Sequence, residues 1–411
     1  MLNVVMFNGG RGAAGIIRHI VAHDGLHLTS IVNAYDDGKS TGEIRRLFHM
    51  LGPSDIRKVQ QVMIPRNLPS HDEIQRLFEF RYPADSCRND CLEQFDMFAK
   101  GSTHTIGNCT VRDESIRRWL RVFAGSFRDN LMLLEKASAT EFSFADCSMM
   151  NCIYAGAFQF FNRDFELATL SFNKLLRLKG TVLPTNTEDK KLVAIRENGD
   201  VLYNEAEIVE LRSNARIRDI YILDQYPERG RLECMTIDER ARCLNALKSH
   251  VRATDHVLRA LRSADVIVFA AGTQHSSLYP SYLTRGIPEA IAENTAAVKI
   301  FVCNIGEDYE TPQYVASEYI RGAFQYLTRH ATVHLRMGDV FDHALVNTTF
   351  SSGTEQYVRV DNAELDALGI NVVCEGYEDE LCPGKHSGAQ ILDAVLRLYE
   401  DSLTKQIWKR K

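Results

Sequence analysis

The sequence predicts an α/β fold, doubly wound around a mostly parallel sheet and carrying a helical insertion. Three observations carry that reading. The chain begins with a strand, a glycine-rich turn, a helix and a second strand in direct succession. From about residue 70 to 145 it becomes rich in Phe, Arg, Asp and Glu and loses its β-branched runs. Beyond that, short apolar runs return, several of them separated by helical stretches. At 411 residues there is room for two or three domains of about 150 residues, or one large body with insertions. The expected division is an α/β body formed by residues 1–65 and 146–411, interrupted by a mainly helical insertion at 66–145.

The elements follow from local patterns. Asn3 to Phe7 is a short apolar strand. Ile16 to Ala22 places Ile16, Ile17, Ile20 and Val21 on one helical face, and Leu28 to Ala34 is the second strand. In Ser115 to Leu134, Ile116, Trp119, Leu120, Phe123, Phe127 and Leu131 recur at steps of three and four, which makes an amphipathic helix. Ser148 to Phe161 is nearly uncharged and reads as a buried helix. Leu192 to Ile195 and Val201 to Tyr203 flank Asn198-Gly199, a hairpin signal. Asp219 to Leu223, Asp265 to Ala271, Lys299 to Asn304, His343 to Asn347 and Asn371 to Cys374 read as buried strands. Ala241 to Ala264 reads as helical, and Ser387 is a plausible N-cap for a last helix running to Ser402. Lys409-Arg410-Lys411 reads as a solvated tail.

Composition removes several classes. The hydrophobic fraction of 45% and charged fraction of 25% are those of a globular chain, neither disordered nor coiled-coil. With 48 Lys and Arg against 54 Asp and Glu, the net charge of −6 argues against nucleic acid as a partner. No run is long and apolar enough for a membrane span, and Met1 to Phe7 lacks the basic start of a signal peptide. The ten cysteines are dispersed without paired CxxC elements, so the chain reads as reduced and cytoplasmic, without structural zinc.

Three segments are candidates for chemistry. Gly10-x-Gly12-x-x-Gly15 lies between a strand and a helix. There glycines let backbone N–H groups reach a phosphate, and the helix N-terminus favours its charge. A tight turn packed for its own sake would look the same. The second segment, Asp36-Asp37-Gly38-Lys39-Ser40-Thr41-Gly42, gathers two carboxylates, an ammonium and two hydroxyls, and Ser54-Asp55-Ile56-Arg57 follows. One acid there would serve an NAD ribose, whereas two acidic clusters beside a phosphate loop suit Mg²⁺. An Asp cap on the next helix is the structural alternative. The third segment, Gly272-Thr273-Gln274-His275-Ser276-Ser277, follows an apolar strand and offers hydroxyl, amide and backbone donors to a second anionic or sugar group. His275 reads as a hydrogen-bonding residue, since no Ser-His-Asp order accompanies it.

These segments resemble the CofD/YvcK family. Gly9-Gly10-Arg11-Gly12 resembles its first loop, Ile31-Val32-Asn33 through Gly42 its "IVNxxDDGxSxG" segment, and Ser54-Asp55-Ile56-Arg57 its "GDIR" segment. Ser148-Met149-Met150-Asn151 resembles "SLGN", Arg177 to Pro184 resembles "GxVLP", and Ala264-Asp265 through Ser277 resembles "ADxIVxGPGSxxxS". Val302-Cys303-Asn304 and His386 also match. Departures are Arg11 for a threonine, Lys39 and Ser54 for glycines, Met150 for a glycine, and Ala271 for a proline. Two of them add cations near the presumed phosphates.

The resemblance implies a Rossmann-like nucleotide-binding fold and two branches of function. One is an Mg²⁺-dependent transferase of the 2-phospho-L-lactate transferase type, moving a phosphoryl-linked group from a nucleoside diphosphate donor to an acceptor hydroxyl. The other is a non-catalytic, gluconeogenesis-factor-like regulator of carbon or envelope metabolism that binds a nucleotide sugar; the acidic loop is more similar to this branch. On the transferase reading, Asp55 and one of Asp36 or Asp37 hold Mg²⁺, and an uncommitted carboxylate takes the acceptor proton, which makes Asp37 and Asp55 the catalytic pair. Gly9, Gly10, Arg11, Gly12, Lys39, Ser40 and Arg57 bind the phosphates, and Asn151 orients the donor. Gly272, Thr273, Gln274, Ser276 and Ser277 take the remaining group. The base, the acceptor and any homo-oligomer stay open. An NAD(P) oxidoreductase is a third reading, resting on the glycine pattern alone. Gly12→Val is expected to block phosphate while leaving the fold largely intact.

Overall fold

A computed structural model describes residues 1–351 and 356–409; Arg410 and Lys411 of the expected tail lie outside them. Seven parallel strands form the central sheet: β1 (Leu2–Asn8), β2 (Leu26–Val32), β3 (Gly180–Pro184), β4 (Val266–Phe269), β5 (Val298–Val302), β6 (His343–Asn347) and β7 (Asn371–Glu375). Their order is β7-β6-β5-β4-β1-β2-β3. The chain winds outward from β1 through β2 and β3, then restarts beside β1 with β4 and winds the other way. A crevice therefore opens where β1 and β4 diverge, at their carboxyl ends, the place such sheets bind ligands.

The inner strands are continuous apolar runs because both faces are covered. Val4, Val5, Met6 and Phe7 of β1 and all four residues of β4 are buried. Phe7 stacks on Phe269 with ring centroids 5.3 Å apart, which ties the two strands together at the crevice. Helix α1 (Ala14–Ala22) buries Ile16, Ile17 and Ile20, as the periodicity requires. Helices α2 (Lys39–Phe48) and α3 (Ser54–Met63) follow β2.

Between residues 66 and 145 lie α4 (His71–Glu79), α5 (Arg88–Ala99) and α6 (Glu114–Ser138), with a small hairpin pairing Thr105–Ile106 with Cys109–Thr110. Helix α6 buries the expected Ile116, Leu120, Phe123, Phe127 and Leu131, while Trp119 stays 41% exposed at the edge of the stripe. Phe95, Phe127 and Phe144 pack ring against ring, each burial worth about 2 kcal/mol. These helices share one hydrophobic core with the sheet and with the buried helix α7 (Met149–Phe160).

One strand finds a partner the sequence left open, and one expectation changes. Ile217–Leu223, the expected buried strand, lies outside the parallel sheet; it pairs antiparallel with Lys191–Arg196, which also pairs with Val201–Leu202 across the expected Asn198-Gly199 turn. This small sheet has its own core of Val193, Ile195, Tyr203, Tyr221 and Leu223. The helix expected over Ala241–Ala264 is two, Ile237–Ala246 and Asp255–Ser263. Lys248 between them bridges to Leu223 and Arg252 to Arg285, so the connecting backbone hydrogen-bonds outside any helix. The last helix is Gly388–Lys409, and the Gln390 N–H donates to Ser387 Oγ at 3.5 Å. Among the described residues no helix is long and apolar enough to cross a membrane.

Candidate functional site

A cavity of about 800 Å³ fills the crevice between β1 and β4. Helices α2 and α3 begin at its wall, and α1 begins two residues beyond Gly12, which lines it. Their N-cap residues are Ala13, Gly38 and Pro53, and none supplies a side-chain hydrogen bond to its helix. The first N–H groups of a helix have no partner within it, so an uncapped N-terminus facing a cavity is a place for an anion. Lys39 to Gly42, expected in a loop, form the first turn of α2. Lys39 itself has a left-handed φ of 45°, which suits glycine better than a branched-out side chain.

The first loop is drawn tightly into this crevice. A Cβ on Gly10 would lie 2.3 Å from Asp55 Oδ1, and one on Gly12 would lie 3.0 Å from the Ala271 carbonyl oxygen. At Gly10 a side chain would require Asp55 to move, and at Gly12 it would press on the neighbouring loop's backbone. Gly12→Val would therefore disturb the contact between the two loops, and it is not the neutral probe expected above. Among the described residues, the amides of Gly10, Arg11 and Gly12 donate to no protein acceptor. Arg11 and Lys39 line the cavity from the surface, Lys39 paired with Asp146 at 2.9 Å. Arg57 lines it from within, only 6% exposed. Its Nε donates to Asn151 Oδ1 at 2.8 Å and its Nη1 to the Phe78 carbonyl, with no carboxylate in an ion pair. Burial, then Arg81 nearby, lowers its pKa to about 10, as for a cation lacking its counter-ion.

Asn151 takes a different place from the one expected. It is fully buried outside the cavity lining, and its amide donates to Ser40 Oγ, Thr41 Oγ1 and Ser54 Oγ at 3.2–3.4 Å. It fixes Arg57 and the starts of α2 and α3 rather than touching a ligand. Ser40 and Thr41 do line the cavity.

The acidic residues separate. Asp36 and Asp55 line the cavity, and Asp55 accepts from Lys58 Nζ at 2.8 Å. Asp37 does not line it. Its carboxylate accepts the Ala206 N–H at 3.1 Å and the Tyr226 hydroxyl, which docks the start of the helix Glu205–Glu210. Neighbouring residues in this irregular segment diverge, so Asp37 is removed from the catalytic pair and from the metal set. No three Asp, Glu, His or Cys side chains converge as a ready ligand set among the described residues. Another carboxylate, Glu205, unforeseen in the sequence, lines the cavity. It is buried at the cavity wall, and burial, then Asp36, Asp55 and Asp37, push its pKa well above the carboxylate range. Asp36, Asp55 and Glu205 thus share the cavity wall without converging on one point, so a cation there would take at most one or two of them beside other ligands.

The second loop is partly filled from within the protein. The amides of His275 and Ser276 donate to Glu310 Oε2 at 2.8 and 2.9 Å, Ser276 Oγ bonds the other oxygen, and the Gly272 amide donates to Asn304 Oδ1 at 3.1 Å. Three of the backbone donors expected to serve a ligand, those of Gly272, His275 and Ser276, are thus committed within the protein, whereas those of Thr273, Gln274 and Ser277 have no acceptor among the described residues. Gln274 is buried outside the cavity lining, and its Nε2 donates to the Gly272 carbonyl oxygen at 2.9 Å. Gly272, Thr273, Ser276 and Ser277 remain at the wall, where Thr273 donates to Ser277 Oγ at 2.8 Å. His275 is buried against Tyr279, and burial lowers its pKa to about 3, so it is a neutral packing residue. His386 lines the cavity, is lowered to about 4 by burial, and pairs through Nε2 with the Cys303 carbonyl oxygen.

Comparison with known proteins shows the family and the fold. The family model described as 2-phospho-L-lactate transferase CofD matches residues 4–377. A gluconeogenesis factor of Halalkalibacterium halodurans is 24% identical over 405 residues, covering 96% of this chain and 95% of that protein. One from Bacillus subtilis is 23% identical, covering 90% and 89%. A crystal structure of a UPF0052-family protein from Bacillus halodurans shares the fold, with a TM-score of 0.65 and 21% identity over 96% of this chain and 100% of that one.

Proposed function

The chain belongs to the CofD family, and from that premise we propose that it is a transferase moving a phosphoryl-linked group from a nucleoside diphosphate donor to an acceptor hydroxyl. One observation carries the reading: three helix N-termini without side-chain caps meet a buried, unpaired Arg57 at the crevice, beside Asp36, Asp55 and Glu205. Cationic and dipolar groups there suit a diphosphate, and the carboxylates suit its metal ion. Mg²⁺ held by one or two of Asp36, Asp55 and Glu205 would supply neutralisation of charge on the phosphate oxygens.

The residues themselves would divide the work. The Gly10–Gly12 amides, Arg11, Lys39 and Arg57 bind and orient the diphosphate. The acceptor oxygen attacks the distal phosphorus and forms a new O–P bond. The bond from that phosphorus to the bridging oxygen breaks, and the nucleoside monophosphate leaves with that oxygen and the electron pair. A cavity carboxylate takes the hydroxyl proton. The oxidoreductase reading keeps only one of its two ribose acids here. Asp37 is engaged by the Ala206 amide and the Tyr226 hydroxyl, and Asp36 lines the cavity beside Asp55 and Glu205. The regulator reading keeps the same pocket without turnover, and the names of the gluconeogenesis factors favour it.

Release of nucleoside monophosphate from a panel of nucleoside diphosphate donors, with Mg²⁺ and cell extract as the acceptor source, separates the two. Asp55→Asn should lower turnover by at least about 100-fold, on the order of 3 kcal/mol, with a much smaller change in nucleotide affinity. Asp37→Asn should cost far less. Tight binding by the wild type without turnover on any donor would favour the regulator. Equal turnover by wild type and Asp55→Asn would remove Asp55 from the site.

A further inference from the structure

A second and larger cavity, of about 1110 Å³, opens beside the first. Gly10, Arg11, Arg57, Lys58 and Arg81 line both, so the two spaces meet at the first loop. From there the groove runs between α1 and α3 to Lys179, before the start of β3. Its charge is one-sided. Arg18, Arg66 and Lys179 join the four shared cations, whereas Glu79 is the only carboxylate among the lining residues. In a chain with more acids than bases, such a run is a local arrangement and not a reflection of composition.

Three of these cations are neutralised within the protein: Lys58 by Asp55, Arg81 by Asp146 and Lys179 by Asp24. Among the described residues, Arg11, Arg18, Arg57 and Arg66 have no ion pair. Arg57 is nearly buried, with its two hydrogen bonds going to neutral oxygens, and stands at the junction on the donor side, which leaves Arg18 and Arg66 as the unpaired cations of the groove itself. A buried guanidinium without a counter-ion pays for desolvation without return unless an anion arrives. Val21, Val62, Ile64 and Phe78 line the same groove, so an occupant would also meet apolar surface.

We propose that this groove seats the acceptor, and that the acceptor is itself a phosphorylated molecule. Guanidinium forks match phosphate oxygens in pairs. A molecule held by Arg18 and Arg66 at its phosphate end would reach the first loop with its hydroxyl, where Arg57 and Lys58 border both cavities. The inference rests on the transferase reading for the word acceptor, but the anion site itself does not.

The probe is inorganic pyrophosphate, titrated by calorimetry into full-length protein already saturated with a fluorescently labelled nucleoside diphosphate. Polarisation of the label reports any displacement from the first cavity. Wild type should bind pyrophosphate with polarisation unchanged. In Arg18→Ser/Arg66→Ser, both changes being at exposed positions outside the first cavity, that binding should weaken at least tenfold while nucleotide affinity stays within twofold. Absence of binding to the saturated wild type, or equal binding to the double variant, overturns the proposal. Should no nucleoside diphosphate bind the wild type, the transferase reading fails separately. The same pair titrated without nucleotide then decides the groove by whether binding depends on Arg18 and Arg66.

Discussion

Two loops leave the sheet side by side at the crevice, one after β1 and one after β4. Both are glycine-containing turns between a strand and a helix, and in sequence both offer backbone donors to an anion. In the structure they differ in how many of their amides are held, since in the second loop Thr273, Gln274 and Ser277 keep free amides among the described residues while three others do not. Those of Gly10, Arg11 and Gly12 have no acceptor among the described residues. Those of Gly272, His275 and Ser276 are held by Asn304 and Glu310. A strand–glycine–helix pattern therefore specifies a nest of donors but not who fills it. For the second loop the answer comes from a carboxyl side chain 34 residues beyond Ser276.

The largest effect that would sharpen this contrast is at Glu310. Glu310→Ala leaves two buried amides without acceptors, at about 1–3 kcal/mol each, so chemical denaturation should show a loss of roughly 3 kcal/mol. Glu310→Gln keeps an acceptor and should lose much less. Nucleotide affinity of the folded Ala variant should stay within about threefold. A large loss of affinity with little loss of stability would mean that the second loop, too, is a ligand seat.

At the cations beside the first loop the signs reverse. Lys39→Gly removes a cation from the cavity, but glycine accepts the left-handed backbone that costs lysine about 1 kcal/mol. The exposed pair with Asp146 that is lost contributes little. Combined with Arg11→Ala, it should leave stability unchanged or slightly raised and weaken nucleoside diphosphate binding roughly tenfold or more by calorimetry. Unchanged affinity would mean that these cations do not reach the phosphates.

A smaller difference should appear with pH. Burial, then Asp308 beside it, raises the Glu310 carboxyl to about 8, against the hydrogen bonds of Ser276 and His275. The fold thus favours the neutral acid. Its contribution to stability is complete below the ordinary value of 4.5 and is lost as pH rises through about 8. The stability of wild type relative to Glu310→Gln should accordingly fall between pH 5 and 9. A relative stability that rises over that range would show that Glu310 is held as a carboxylate.

The same contrast explains what could be read from the chain alone. The parallel strands and α1, α6 and α7 were legible because each has a continuous apolar run or a helical stripe. Ile217–Leu223 has such a run too, but periodicity does not say which strand it will pair with, and its partner is the antiparallel Lys191–Arg196. Gly9 to Gly12, Asp36, Asp55 and Arg57 lie close together in sequence beside the turn they serve, and the structure gathers them at the cavity. Glu205 and Glu310 were missed because single acids far along the chain carry no pattern. Asp37 was misread because adjacency to Asp36 suggested a shared direction, whereas its side chain anchors Ala206 and Tyr226. Only the hairpin and helix around Glu205, brought over the crevice by the small antiparallel sheet, could reveal where both acids lie.

The most direct test of the account follows backbone amides by two-dimensional ¹H–¹⁵N spectroscopy while adding, with Mg²⁺, whichever of ADP, CDP, GDP or UDP binds most tightly. The account predicts large, saturable shifts at Gly10, Arg11 and Gly12, with His275 and Ser276 nearly unmoved because Glu310 keeps their hydrogen bonds. Shifts concentrated at His275 and Ser276, with the first loop unchanged, would contradict it.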